Sequence, residues 1–147
     1  MDSYDYSTGS SLFGGMFIVM GIIWLIAVVI LVASFWKIFE KAGKPGWAAI
    51  VPFYNIYIIL EIIGRPSWWI AIYIGAALLG WIPILGWLIM IGVIVLQFIV
   101  CIDLAKSFGK DTAYGIGLAV LSIVFAPMLG FGSAQYLGIP TNPTLIK

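Results

Sequence analysis

Charged side chains divide this chain into long apolar stretches. Residues 6–36, 66–102 and 112–146 contain no Asp, Glu, Lys or Arg, and each exceeds the roughly 20 apolar residues that carry a helix across a bilayer core. The first stretch predicts a span over about residues 12–36, roughly 37 Å long at 1.5 Å per residue. Lys37, Lys41 and Lys44 follow it directly, with Glu40 among them. Gly43 is a natural left-handed stop, and Pro45 stands two residues beyond. As one helix, 66–102 would run about 55 Å, far more than one crossing. Its break is Trp81-Ile82-Pro83-Ile84-Leu85-Gly86-Trp87, where proline, glycine and flanking indoles fit a tight turn at a membrane surface. Spans are therefore predicted over about 66–80 and 84–108, the second capped by Gly109. Asp111 suits the start of a fourth span over about 112–131, where a carboxylate meets the positive helix end.

The segment 47–63 breaks this regularity. It is apolar but interrupted by Pro52, and it carries Tyr54, Asn55 and Tyr57. If it crossed, the basic residues near the spans would divide evenly between the two sides. If it dips in and returns, or lies in the interface, Lys37, Lys41, Lys44, Arg65, Lys106 and Lys110 all face the cytoplasm. The positive-inside bias favours that arrangement. The fold expected is thus an all-α integral membrane protein with four transmembrane helices and a re-entrant or interfacial segment near 47–63. Residues 1–11 read as an external polar tail, 12–132 as a single membrane domain and 133–147 as an external arm with Pro140 and Pro143. Multi-pass insertion in a prokaryotic cytoplasmic (inner) membrane, both termini outside, is the placement this predicts.

Composition strengthens the membrane reading. The chain of 147 residues is 63% hydrophobic, and its mean hydropathy of +1.16 is more apolar surface than a water-soluble domain of this size hides. Seven basic and six acidic residues leave no basic face for nucleic acid. With no His and a single Cys, Cys101, neither a metal nor a cofactor site is expected. The acidic start, Met1-Asp2-Ser3-Tyr4-Asp5, is unlike a secretory signal, so the first span is expected to be retained.

Candidate chemistry is sparse. Lys44-Pro45-Gly46-Trp47 and Arg65-Pro66-Ser67-Trp68 repeat one pattern on either side of 47–63: a cation, a proline that starts a helix and an indole for the interface. Lys44, Trp47, Arg65, Trp68 and Trp69 are the candidate lipid or interface anchors. Asn55, Glu61, Gln97 and Asp103 are the candidate polar groups at membrane depth, where hydrogen bonds join helices and ionisable groups mark pathways. Helical spacing pairs Glu40 with Lys44 and Glu61 with Arg65, and sets Asp103 beside Lys106 or a loop base. Ala113, Gly115, Gly117 and Ala119 form a small-residue face suited to helix packing. Ser107 adjoins Lys106, but neighbouring helical residues point apart, so no Ser–Lys nucleophile is expected.

The run Lys41-Ala42-Gly43-Lys44-Pro45-Gly46-Trp47-Ala48-Ala49-Ile50-Val51-Pro52-Phe53-Tyr54-Asn55 resembles a family of small bacterial and archaeal multi-span proteins. Ile102-Asp103-Leu104-Ala105-Lys106-Ser107-Phe108-Gly109-Lys110 and Leu129-Gly130-Phe131-Gly132 extend the resemblance over roughly residues 37–136. The resemblance implies a shared membrane fold and no assigned activity. The family is sometimes loosely labelled signal-peptidase-like, but that chemistry needs an external β domain for which this sequence has no segment. Members have a shorter stretch between the Trp-Trp pair and the Ile-Pro turn, so the hairpin after Trp68-Trp69 departs from their pattern. The function expected is non-enzymatic: association with membrane lipid and with other membrane-protein subunits or itself, as an accessory or assembly subunit. The alternative is a homo-oligomeric channel or transporter with Asn55, Glu61 or Asp103 along its path.

Overall fold

The computed structural model describes residues 3–140, so the far part of the expected C-terminal arm, 141–147, lies outside the described residues. Every regular element among them is helical: α1 (Ser3–Lys41), a 3-10 turn (Gly46–Ala49), α2 (Tyr54–Ile62), α3 (Trp69–Leu79), α4 (Pro83–Ser107), α5 (Thr112–Val120) and α6 (Ser122–Phe131). From Ser3 on, the expected polar tail is taken up into α1, with no proline to stop the helix before Lys41. Among the described residues, two helices are long and apolar enough to cross a membrane: α1 over Ser11–Lys41, and α4.

The chain forms two units, divided after Ile30. In the first, no described residue is buried, and Leu12, Phe17, Trp24 and Val29 are all well exposed. The second unit holds the core. Its centre is built from Ile38 and Phe39 at the end of α1, Leu60 and Ile62 of α2, Leu104 of α4, Leu118 of α5 and Leu129 of α6. Each is essentially inaccessible, and burying a side chain of this kind is worth roughly 1.5–3 kcal/mol.

Three helices stop by one device. Gly43, Gly64 and Gly109 adopt φ of 72°, 68° and 70°, a left-handed conformation that glycine accepts without steric cost. The next residue then donates its backbone N–H five residues back: Lys44 to the Phe39 carbonyl at 2.8 Å, Arg65 to Leu60 at 2.9 Å, and Lys110 to Ala105 at 2.9 Å. This satisfies helix-end carbonyls that have no partner within the helix. Gly43 and Gly109 act as the sequence predicts; Gly64 is the stop it does not mark. Since Lys44 and Arg65 lie beyond these stops, the expected helical pairs Glu40–Lys44 and Glu61–Arg65 do not form. Glu40 instead takes Lys37 at 2.8 Å and the Trp36 indole N–H at 2.8 Å.

The turn expected at Trp81–Trp87 is found, with Pro83 in the first turn of α4. The expected single helix over 112–131 is not. Asp111 caps α5 as predicted, accepting from the Tyr114 N–H at 3.0 Å. The helix then breaks at Leu121 (φ −124°, ψ 54°) and α6 begins anew. In one straight helix Tyr114 and Phe125 would lie about 16 Å apart. Their rings meet edge-on at 5.1 Å, and the Tyr114 hydroxyl donates to the Phe125 carbonyl at 3.0 Å. α6 therefore folds back toward α5. Gly117 makes room for it, since any side chain there would strike the Phe125 ring.

Beyond α6 the chain returns to the core. The Leu137 N–H donates to the Ser107 carbonyl at 2.7 Å. The Tyr136 hydroxyl donates to the Ile62 carbonyl at 2.7 Å, its ring edge-on to Phe108. The expected arm over 133–140 is thus tied to the ends of α2 and α4.

Candidate functional site

The stops at Gly43 and Gly64 set up two ion pairs, Lys44–Glu61 and Arg65–Asp103. Lys44 pairs with Glu61 at 2.6 Å, joining the two ends of the segment 45–60. The pair thus brings the start and the end of that segment together. Arg65, set beyond the Gly64 stop, reaches Asp103 on α4: Nε donates to Oδ2 at 2.7 Å, and Nη2 donates to the same oxygen. Asp103 is 8% exposed, and the guanidinium also lies over the Trp69 ring, 5.0 Å from its centroid. The loop base is therefore its partner, while Lys106 stays exposed.

The other expected anchors divide. Trp47 and Trp68 are exposed, and Trp47 stacks on Tyr54, which stacks on Tyr57. Trp69 is half-buried beneath Arg65. Gly46, the small residue of the first anchor pattern, is buried under the Trp36 indole, where no side chain would fit. The small-residue face is used within the chain: Gly115 lies against the backbone of Ile102 on α4, and Ala119 packs on the core. Only Ala113 of that set is exposed.

Ser107 is buried and donates to the Asp103 carbonyl at 2.9 Å, turned away from the exposed Lys106. Lys41 plays a part that sequence does not announce. Its amine donates to the carbonyls of Leu129 at 2.8 Å and Gly132 at 2.7 Å, a cation closing the C-terminal end of α6. Among the described residues, no three His, Cys, Asp or Glu side chains gather to hold a metal.

Asn55 and Gln97 come together at a second place. Both line a cavity of about 350 Å³ beside the start of α2, with Phe35, Phe53 and Tyr73. The Asn55 amide N–H donates to the Ala49 carbonyl at 3.2 Å, and its buried Oδ1 has no partner among the described residues. Gln97 donates only to the Cys101 sulfur, at 3.5 Å. The wall turns at Phe53, whose φ of 63° and ψ of −43° cost a residue with a side chain on the order of 1–3 kcal/mol. Tyr73 and Phe53 have no sequence signal that would single them out, since both lie among other apolar aromatics.

No curated protein and no solved structure matches the chain. The Arg65–Asp103 pair, the α3–α4 hairpin and the folded-back α5–α6 all fall within one family's extent: over residues 47–139 the chain belongs to DUF5684, a family of unknown function.

Proposed function

We propose that the protein is an integral protein of a prokaryotic cytoplasmic membrane that acts by association, as an accessory or assembly subunit of a larger membrane complex. The observation that carries this reading is the α1 stretch Ser11–Ile30, which is apolar throughout and buries none of its residues. Gly14, Gly15 and Gly21 have open space where a side chain would be, and such notches admit the backbone of a neighbouring helix. The channel alternative is less favoured, because Glu61 and Asp103 are committed to Lys44 and Arg65. Native mass spectrometry after gentle extraction tests the proposal. A stoichiometric, larger membrane partner is the expected result; multiples of 16.1 kDa alone would defeat it.

The topology we propose with it has three crossings, α1, α3 and α4, entered from an external N-terminus. In this reading α2 and the α5–α6 pair dip in and return, so residues 133–140 join Lys41, Arg65 and Lys106 on the cytoplasmic side. Support comes from the Lys44–Glu61 closure and from the return of α6 onto α5, where Tyr114 meets Phe125. In a Cys101→Ser background, Ser67→Cys and Ser133→Cys, both at exposed positions, are expected to react only with reagent on the cytoplasmic side. External labelling of Ser133→Cys would restore a fourth crossing. External labelling of Ser67→Cys would make 47–63 a span.

A further inference from the structure

We propose that the cationic surface along residues 132–140 seats the headgroup phosphate of an anionic phospholipid, held by Lys106 and Lys110 with Lys41 beside them. Charge in the second unit is unevenly paired. Its four carboxylates, Glu40, Glu61, Asp103 and Asp111, serve Lys37, Lys44, Arg65 and the Tyr114 N–H in turn. Lys41, Lys106 and Lys110 are thus left with no carboxylate partner among the described residues. The cations that sequence offers as lipid anchors, Lys44 and Arg65, are committed inside the protein, and these three others remain. Lys41 donates to the Leu129 and Gly132 carbonyls, neutral groups that leave its charge uncompensated. The Lys110 amine lies 5.7 Å from the centre of the Tyr114 ring, and its charge reaches Lys41.

The arm after α6 gathers these cations. Lys41 lines a cavity of about 480 Å³ with Ser133 and Gln135, two exposed side chains that add neutral donors. Over the next stretch of the arm, Lys106 and Lys110 line a second cavity of about 270 Å³. No Asp or Glu lines either one. The neighbouring carboxylate, Asp111, is already engaged by the Tyr114 N–H. The arm is tied in place by the Leu137 N–H on the Ser107 carbonyl and the Tyr136 hydroxyl on the Ile62 carbonyl. An arriving anion therefore has no segment to order, and it relieves the repulsion among the lysines. Phe131 and Leu137, on the same stretch of chain, are 61% and 59% exposed. A free phosphate leaves those apolar side chains in water, whereas the acyl chains of a lipid cover them. Basic pockets on the cytoplasmic side of membrane helices hold anionic headgroups in this way. The lipid seat rests on the membrane placement proposed above, which brings Lys41, Lys106 and residues 133–140 to the cytoplasmic surface, and it needs no partner subunit.

The test uses the purified full chain in phosphatidylcholine nanodiscs with increasing phosphatidylglycerol, and native mass spectrometry counts the lipids that stay bound. Saturable retention of phosphatidylglycerol in preference to phosphatidylcholine is expected. Lys106→Gln and Lys110→Gln, both at exposed positions, are each expected to weaken it about fivefold, the worth of one lysine near anionic lipid. Lys37→Gln removes the same unit of charge from a residue paired with Glu40, and is expected to leave retention unchanged. Equal losses in all three variants would overturn the seat, because the lipid would then be answering net charge alone. So would a loss in none of them, or retention without preference for phosphatidylglycerol. Inorganic phosphate in large excess is expected not to displace the lipid; full displacement would make this a site for free phosphate and end the lipid assignment. A nanodisc offers the same lipid on both faces. External labelling of Ser133→Cys, or the lack of a larger partner, would therefore defeat the proposed topology or function and leave the lipid count standing.

Discussion

Arg65→Ala is expected to destabilise the protein by about 3 kcal/mol, the cost of leaving a buried charge without its partner. Asp103 is nearly inaccessible, and both of Arg65's donated hydrogen bonds converge on its Oδ2. Removal of the guanidinium strands a carboxylate at the end of α4 and also uncovers the Trp69 ring. Arg65→Lys is expected to recover only part of the loss. An ammonium has no planar fork to reach Oδ2 twice, and it stacks less well on an indole. Asp103→Asn is expected to cost less than Arg65→Ala, because Arg65 is the more exposed partner and retains some access to water. Unfolding in mixed micelles, titrated with a denaturing detergent, measures all three. An Arg65→Ala protein within about 0.5 kcal/mol of the parent, the range of ordinary surface changes, would show that the pair does not hold α2 to α4.

The second large effect comes from single methyl groups. Gly115→Ala and Gly130→Ala are each expected to cost about 2–3 kcal/mol, the scale of an overpacked core. A Cβ at Gly115 would meet the backbone of Ile102, and one at Gly130 the backbone of Ser34. Backbone inside packed helices cannot rotate aside as a side chain does. Gly75 and Gly92 supply the control, since each has open space where a Cβ would stand. Gly75→Ala and Gly92→Ala are expected to be neutral or stabilising by up to about 1 kcal/mol, from helix propensity alone. If Gly92→Ala destabilises as much as Gly130→Ala, close packing is not what the glycines provide. The same unfolding titration decides it.

Much of the architecture is legible in the residues because it follows from local rules. Pro83 between two tryptophans marks a turn, Gly43 and Gly109 mark helix ends, and Asp111 marks a helix start; each acts within one turn of itself. The α3–α4 hairpin is therefore found close to where the sequence predicts it. The partners of the charges are not legible in the same way. Helical spacing offers Glu61–Arg65 and Glu40–Lys44, and the unmarked stop at Gly64 removes the first by carrying Arg65 off the helix. Its true partner is 38 residues away, a distance that no periodicity encodes. The break at Leu121 is hidden for a related reason. No proline or glycine stands at that position, and the bend is stabilised by Tyr114 and Phe125 meeting across it, with Gly117 providing the space. Sequence reads Gly115 and Gly117 alike as a packing face, yet one admits the backbone of α4 and the other the Phe125 ring of α6. The cavity at Asn55 is legible only as two separate amides, because their meeting depends on how α2 lies against α4.

The three glycine stops bear on how deep the protein can sit. In each, the residue that ends the helix is followed at once by a cation, Lys44, Arg65 or Lys110, and a cation settles in the headgroup layer. In the proposed membrane placement, the end of the helix and its vertical position are thereby fixed by the same two residues. A bilayer of different thickness cannot be met by sliding α1, α2 or α4 along its axis, because the stop and its charge would move together out of register with the lipid surface. The surrounding lipid must then adapt to the protein, by thinning or thickening around it. In that placement the glycine–cation pairs work as a depth gauge, holding the helix ends that carry them at the lipid surface whatever the thickness of the bilayer.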